Sequence, residues 1–309
     1  MKQGKKCIVM FSGGLDSRLI IKIMQKQGFE IFALFFKVPF GACSNEKEVI
    51  GFSEIQKVNL KIFDCTRGKL LQEYLEVIKK AEHGTGAGMN PCIDCRIFML
   101  KKAKEFADEK GINLIVTGEV LDERPMSQKK RTMDLVEEES NLKGRLLRPL
   151  SAKLLSETEA EKKGFVNRSE LYDIHGRRRE MQIKLARKFK IKYPSPAGGC
   201  LLCEKNLKKR FKYLLDRGIN EDEIKLIGIG RHFLIDDCWV VIGRDETENK
   251  IIELVGKSYT LILPKFAGPS VVIFDEDNKK VREKVGELIK AYSKEGSLEE
   301  RKKFEEFKV

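Results

Sequence analysis

The chain has 309 residues, of which 41% are hydrophobic, enough to bury the cores of two domains without disulfides or metals to hold them. Its apolar runs stay far below the ~20 residues that a membrane helix needs, and residues 1–6 lead straight into a strand pattern, so neither a membrane span nor a signal peptide is expected and the location reads as cytoplasmic. Net charge is +13, and it is unevenly placed: residues 206–309 hold 21 basic and 20 acidic residues, whereas residues 143–192 alone hold 15 basic and 6 acidic ones. That concentrated excess predicts a polyanion partner, RNA or DNA, rather than scattered solvated helix faces.

The first element is an apolar run, Cys7-Ile8-Val9-Met10-Phe11, which reads as a buried strand. It is followed by Ser12-Gly13-Gly14-Leu15-Asp16-Ser17 and then by a helical pattern with apolar residues at 19, 20, 23 and 24. A strand, a Gly-Gly turn and a helix N-terminus make an anion site, because glycine permits close backbone approach and the first-turn N–H groups point outward along the helix dipole. Ser12 and Ser17 add hydroxyls, and Asp16, out of place in a phosphate nest on its own, is expected to hold Mg²⁺. Strand patterns at 31–36, 60–63 and 114–117 alternate with helical ones at 69–80 and 95–109, which predicts an α/β fold with a parallel, doubly wound sheet. Ligands bind such sheets off the carboxyl ends of the strands. That edge carries the Ser12–Ser17 turn, Phe36 (a candidate cover for an adenine ring), Asp64 and the Thr117-Gly118-Glu119 turn.

Two loops interrupt this alternation. The Gly-rich stretch 83–91 is expected to be mobile and delivers Cys92 and Cys95 to the next helix, while the charged stretch 122–141 reads as a substrate-facing insertion. A short strand at 146–150 precedes helices near 156–163 and 178–189, the former with a capping box expected at Ser156 and Glu159. The stiff turn 193–199 leads to Cys200 and Cys203. A composition shift near Glu204 predicts two domains, 1–204 and 205–309. The second reads as a small α+β unit with a helix at 205–216, strands at 232–235, 239–242, 250–253, 260–263 and 270–274, a helix at 280–293 and a tail, 299–309, expected to fray.

Eight cysteines in a chain read as cytoplasmic point to metal or catalysis before disulfides. Cys7, Cys43, Cys65 and Cys238 fit the role of small buried hydrophobes, but the CxxC pairs Cys92/Cys95 and Cys200/Cys203 lie among Gly and Pro and suit a shared centre. Three chemistries are open: four thiolates on a structural Zn²⁺, three or four on a [4Fe–4S] cluster, or a persulfide on one pair resolved by a thiol of the other.

The hexapeptide SGGLDS resembles the PP-loop of the ATP pyrophosphatases, which cut ATP between the α- and β-phosphates and adenylate a substrate oxygen. The resemblance implies ATP binding by Ser12, Gly13, Gly14, Asp16 and Ser17, with Gly118 at the rim. Asn90-Pro91-Cys92-Ile93-Asp94-Cys95 resembles the Asn-Pro-x-x-x-Cys motif of tRNA 2-thiouridylases, which implies catalytic roles for Asp16, Cys95 and Cys200, with Leu147-Arg148-Pro149-Leu150-Ser151 similar to their fifth-strand region. The added Cys92 is similar to the cluster-bearing thiolases and implies Cys92, Cys95 and Cys200, with Cys203 as a possible fourth, as ligands to [4Fe–4S] rather than Zn²⁺. Gly118-Glu119-Val120 stands where the 2-thiouridylases have Gly-His-Tyr, and their C-terminal barrel and the THUMP-like region of 4-thiouridine synthetases have no counterpart pattern. Over about 205–292, Gly230-Arg231-His232-Phe233, Ile242-Gly243-Arg244-Asp245-Glu246 and Gly268-Pro269-Ser270 resemble the RNA-binding domain of NFACT proteins.

The implied activity is ATP-dependent thiolation of a tRNA uridine, with tRNA and a sulfur donor as partners. Two other classes remain in play: a PP-loop ligase or amidase acting on a small acid with structural zinc, and a non-enzymatic RNA-binding factor of ribosome quality control.

Overall fold

A computed structural model describes residues 5–41, 45–195, 199–275 and 278–309, so Cys43 and part of the 193–199 turn lie outside the described residues. The chain separates into two compact units, Met1–Cys203 and Glu204–Val309.

In the first unit β1 (Lys6–Met10), α1 (Leu15–Lys26), β2 (Glu30–Lys37), α2 (Glu46–Gln56), β3 (Asn59–Asp64), α3 (Gly68–Lys80), α4 (Cys92–Glu109), β4 (Ile115–Val116), α5 (Lys130–Glu139), β5 (Leu146–Leu147), α6 (Glu159–Lys162) and α7 (Glu180–Lys188) follow in order. The sheet runs β3-β2-β1-β4-β5, and every pairing is parallel. The expected α/β fold with a doubly wound parallel sheet is therefore what the chain adopts. Strand order reverses between β1 and β4, which opens a crevice at the carboxyl end of β1, the place where such sheets take ligands. Strands buried on both faces must be apolar throughout, and Cys7, Ile8, Val9, Ala33, Ile115 and Val116 are fully enclosed. The stripe of α1 read from the sequence, Leu19, Ile20, Ile23 and Met24, packs into this core.

Three local expectations change. The capping box falls two residues later, on Thr158 and Glu161, which exchange side-chain and backbone bonds. Within the charged stretch 122–141, residues 130–139 form α5, whose Met133 and Val136 face inward three residues apart. The Gly-rich stretch 83–91 is tied at both ends, as described below.

The second unit contains α8 (Lys208–Arg217), α9 (Glu221–Leu226), β6 (Arg231–Ile235), β7 (Cys238–Ile242), α10 (Glu246–Val255), β8 (Thr260–Ile262), β9 (Val271–Ile273), α11 (Lys279–Ala291) and α12 (Leu298–Lys302). Its sheet, β6-β7-β9-β8, is antiparallel. The strand expected at 250–253 is instead part of α10: Asp245 accepts a bond from the Glu248 amide as an N-cap, and Ile252 and Val255 reach the core at helical spacing. The tail expected to fray is anchored, because Phe304 is buried, Lys308 pairs with Phe233 as a bridge, and the Val309 amide donates to His232 at 3.2 Å.

Candidate active site

The turn after β1 is built around its glycines and hydroxyls. Gly13 takes φ +79°, the left-handed region where a side chain is strained. Ser17 Oγ donates to the Gly14 carbonyl at 2.9 Å, and Ser12 Oγ lies 3.3 Å from Ser17 Oγ. Arg18 steadies the turn from behind: its Nε donates to the Gly13 carbonyl at 2.6 Å and its Nη1 to Lys192 at 2.8 Å. Gly118 closes the other side, since a Cβ there would stand 2.9 Å from the Asp16 carbonyl carbon and 3.0 Å from the Ser17 nitrogen. Only glycine lets the end of β4 approach the loop this closely.

Asp16 lies in the first turn of α1, with Oδ1 buried and without a hydrogen-bond partner among the described residues. Burial pushes its carboxyl up to about 6, Glu123 pushes in the same direction, and Arg179 and Arg124 oppose. A buried, unpartnered carboxylate oxygen fits a cation. Sequence reasoning missed Glu123, which lies inside the charged stretch 122–141, and it counted Arg179 only within the basic stretch 143–192 read as facing a polyanion. In the structure Arg179 Nε donates to Glu123 Oε1 at 3.0 Å, and a bridge between Leu121 and His175 brings the two segments together.

The cysteine pairs, 104 residues apart in sequence, meet in space. Cys92 and Cys95 occupy the first turn of α4, and Cys200–Cys203 forms a single tight turn. The Met89 amide donates to the Leu202 carbonyl at 2.7 Å, and the Leu201 amide to Phe40 at 2.8 Å. The second turn is thereby seated on the loop after β2, at the same edge of the sheet as Ser12–Ser17. Each thiol of the first pair has a polar neighbour: Asn90 Nδ2 donates to Cys92 Sγ at 3.2 Å, and Tyr74 Oη lies 3.5 Å from Cys95 Sγ. Cys200 feels the charges of Cys95, Cys203 and Cys92, but burial is the main cause that pushes its thiol up to about 12. Cys7, Cys65 and Cys238 are buried, as small core residues would be.

His83 anchors the near end of the Gly-rich loop, with Nδ1 2.8 Å from Asp94 and Nε2 2.8 Å from Glu139. Among the described residues no group of three or more His, Cys, Asp or Glu side chains is gathered closely enough to hold a metal ion. The four thiols are a donor set that suits a soft metal, but as they stand they do not close around one.

Behind both half-sites lies a buried ion network. Glu119 accepts from Arg148 Nε at 3.0 Å and from the Thr117 hydroxyl at 3.1 Å, pairs with Arg96 at 3.1 Å, and Arg148 also binds Glu137. Burial raises the Glu119 carboxyl, yet Arg96 and Arg148 outweigh it and hold it below the ordinary carboxylate range. Arg96 follows Cys95 and Glu119 follows Gly118, so the network ties the thiol helix to the edge of the loop. Phe36, the candidate adenine cover, is buried and stacked on Phe63 with ring centroids 4.8 Å apart. The basic stretch divides: Arg145, Arg148, Arg168 and Arg179 are paired with carboxylates, while Arg177, Arg178, Lys184, Arg187, Lys188, Lys190 and Lys192 are exposed.

Comparison with known proteins follows this division of the chain. The family model described as thiamine biosynthesis protein (ThiI) matches residues 2–157, half of the chain. The chain belongs to the ThiI family. Residues 230–305 match the NFACT protein RNA binding domain, so the ThiI region is followed by a second, separately recognised module. Among curated proteins, this ThiI-family chain is 28% identical over 116 residues to a tRNA-specific 2-thiouridylase of Nitratiruptor sp., covering 37% of the chain and 34% of that protein. It is 32% identical over 120 residues to the Campylobacter hominis enzyme of the same name, covering 37% and 31%. The chain thus spans about a third of the length of these relatives. Two solved structures resemble the chain at 18% identity: a predicted tRNA methyltransferase subunit of Methanocaldococcus jannaschii (TM-score 0.40, 71% of this chain and 91% of that one) and a 4-thiouridine synthetase–RNA complex with bound ATP (TM-score 0.39, 72% and 53%).

Proposed function

We propose that this ThiI-family chain is an ATP-dependent tRNA uridine thiolase. The observation that carries the reading is the junction of the two cysteine turns through Met89 and Leu202, at the same sheet edge as the Ser12–Ser17 turn. An ATP-splitting loop alone accounts for adenylation, whereas joined thiols beside it account for the replacement of oxygen by sulfur.

ATP binds with its phosphates on the Gly13-Gly14 turn and the α1 N-terminus, where Ser12 and Ser17 donate and Asp16 holds Mg²⁺, which neutralises the phosphates when bound. The uridine carbonyl oxygen attacks the α-phosphorus, pyrophosphate leaves, and the base carries AMP on that oxygen. The chain's part in this step is positioning and charge stabilisation. In the persulfide route the outer sulfur of a Cys200 persulfide attacks the activated carbon and AMP departs. The Cys95 thiolate then attacks the Cys200 sulfur, leaving the thiolated base and a Cys95–Cys200 disulfide that an external thiol reductant reopens. In the cluster route Cys92, Cys95 and Cys200 would hold a [4Fe–4S] centre through three of its irons, and the iron left without a protein ligand would supply the sulfur. Burial favours the protonated form of the Cys200 thiol, so either route draws on metal binding or RNA docking to favour the thiolate.

The exposed basic face of residues 177–192 grips the RNA backbone, and the 205–309 domain adds an RNA-binding surface. A target base has to leave its stack to reach the loop. Purification without oxygen, followed by iron, sulfide and zinc analysis, separates the routes. Iron and sulfide near four each per chain support the cluster, a metal-free protein that forms a Cys200 persulfide supports the other route, and stoichiometric zinc sinks both in favour of the ligase reading.

A further inference from the structure

Two carboxyl oxygens beside the loop have no hydrogen-bond partner among the described residues although both are buried: Asp16 Oδ1 and Glu123 Oε2. The Glu123 side chain is only 7% exposed, and its other oxygen is already bound by Arg179. An orphaned carboxylate oxygen in such surroundings costs free energy unless something positive meets it. Gly118 lies against Asp16 and Ser17, and Glu123 follows five residues later in the same segment, so the chain carries this second acid to the loop's flank.

We propose that Glu123 joins Asp16 as a second ligand to the divalent cation at the loop, with Arg179 holding Glu123 in place through its other oxygen. The proposal rests on the ATP-splitting reading above. Mg²⁺ is commonly held by one or two carboxylates together with substrate phosphates, and this pair supplies both carboxylates. Arg179 then acts on the nucleotide side of the chain rather than with the exposed Arg177 and Arg178.

The test is a titration of the full chain with Mn²⁺ alone, with free ion read by electron paramagnetic resonance. One site is expected, weakened roughly tenfold or more by Glu123→Gln and by Asp16→Asn, in line with the usual effect of losing a supporting carboxylate. Arg179→Ala should weaken Mn²⁺ binding less than Glu123→Gln does, because Glu123 keeps its charge but loses the bond that holds it. A wild-type chain that binds no Mn²⁺, or a Glu123→Gln chain with wild-type affinity, overturns the proposal. If Glu123→Gln fails to fold, Glu123→Asp replaces it, and unchanged affinity there is equally contrary. Because the titration involves neither RNA nor turnover, a lack of thiolated product would refute the thiolase reading and leave this result standing.

Discussion

The backbone amide of Met89 donates to the carbonyl of Leu202 at 2.7 Å, a bond that links the loop leading to Cys92 with the Cys200–Cys203 turn. Gly88 makes the approach feasible. A Cβ on it would stand 2.2 Å from the Leu202 oxygen and 2.9 Å from the Cys203 carbonyl carbon, backbone atoms with little room to give. Gly88→Ala should therefore part the turns. Thiolated product is expected to fall at least tenfold while ATP binding, measured by calorimetry with a non-hydrolysable analogue, stays near the wild-type value. Equal loss of both would show that the turns and the loop do not separate in this way.

Asp16→Asn should stabilise the fold while abolishing ATP turnover. The Asp16 carboxyl is raised from 3.8 to about 6, so the folded state holds its proton more tightly than the unfolded one. Ionising it therefore costs stability, with no cost below the unfolded value and the full cost above pH 6. At about 1.4 kcal/mol per pH unit the penalty is on the order of 2–3 kcal/mol. Denaturant unfolding at pH 7.5 without divalent ions should show a gain in that direction, and the gain should vanish near pH 4. An unchanged or lower midpoint at pH 7.5 would refute the assignment.

His83 provides a second pH dependence, of the same sign but in a higher pH range. Its bond to Asp94, and then that to Glu139, raise its affinity for the proton. The stabilisation from the charged ring is complete below the unfolded value of 6.5 and is lost as pH rises through the higher folded one. Amide exchange across residues 84–94, corrected for its intrinsic pH dependence, should show protection falling from pH 6 to pH 8.5. His83→Gln should be less protected at pH 6 and nearly insensitive to pH. A wild-type profile that is flat over this range would sink the idea.

Arg148 is buried between Glu119 and Glu137. Arg148→Met would leave the enclosed Glu119 with Arg96 and Thr117 only, a loss of about 3–5 kcal/mol for breaking a buried pair. Glu119 adds stability above its unfolded value near 4.5, which disappears as pH falls through its lower folded value. Acid unfolding should thus be shallower in Glu119→Gln, and an unaltered acid limb would argue against the network.

Much of this fold is legible in the sequence because strands buried on both faces cannot hide their apolar runs. Residues 7–11 and 31–36 and the stripe of α1 announce themselves. The loop is legible for a related reason: Gly13 and Gly118 are required by a left-handed turn and a close approach. What escapes is what depends on partners distant in sequence. The stretch 250–253 alternates weakly enough to pass for a strand until Asp245 caps a helix over it. Arg179 looks like part of a basic surface until Glu123, 56 residues away, binds it. Residues 83–91 look loose because glycine gives no local signal, whereas the bonds of His83 and Met89 that tie them down come from elsewhere in the chain.

The most direct test of the central claim is nucleoside analysis of tRNA incubated with the full chain, Mg-ATP, a sulfide or persulfide source and a reductant. The account predicts a thiolated uridine, formed with one AMP and one pyrophosphate per modified base, that disappears in Asp16→Ala, Cys95→Ser and Cys200→Ser. ATP consumption without any thiolated nucleoside, or thiolation that survives the loss of both Cys95 and Cys200, would contradict it.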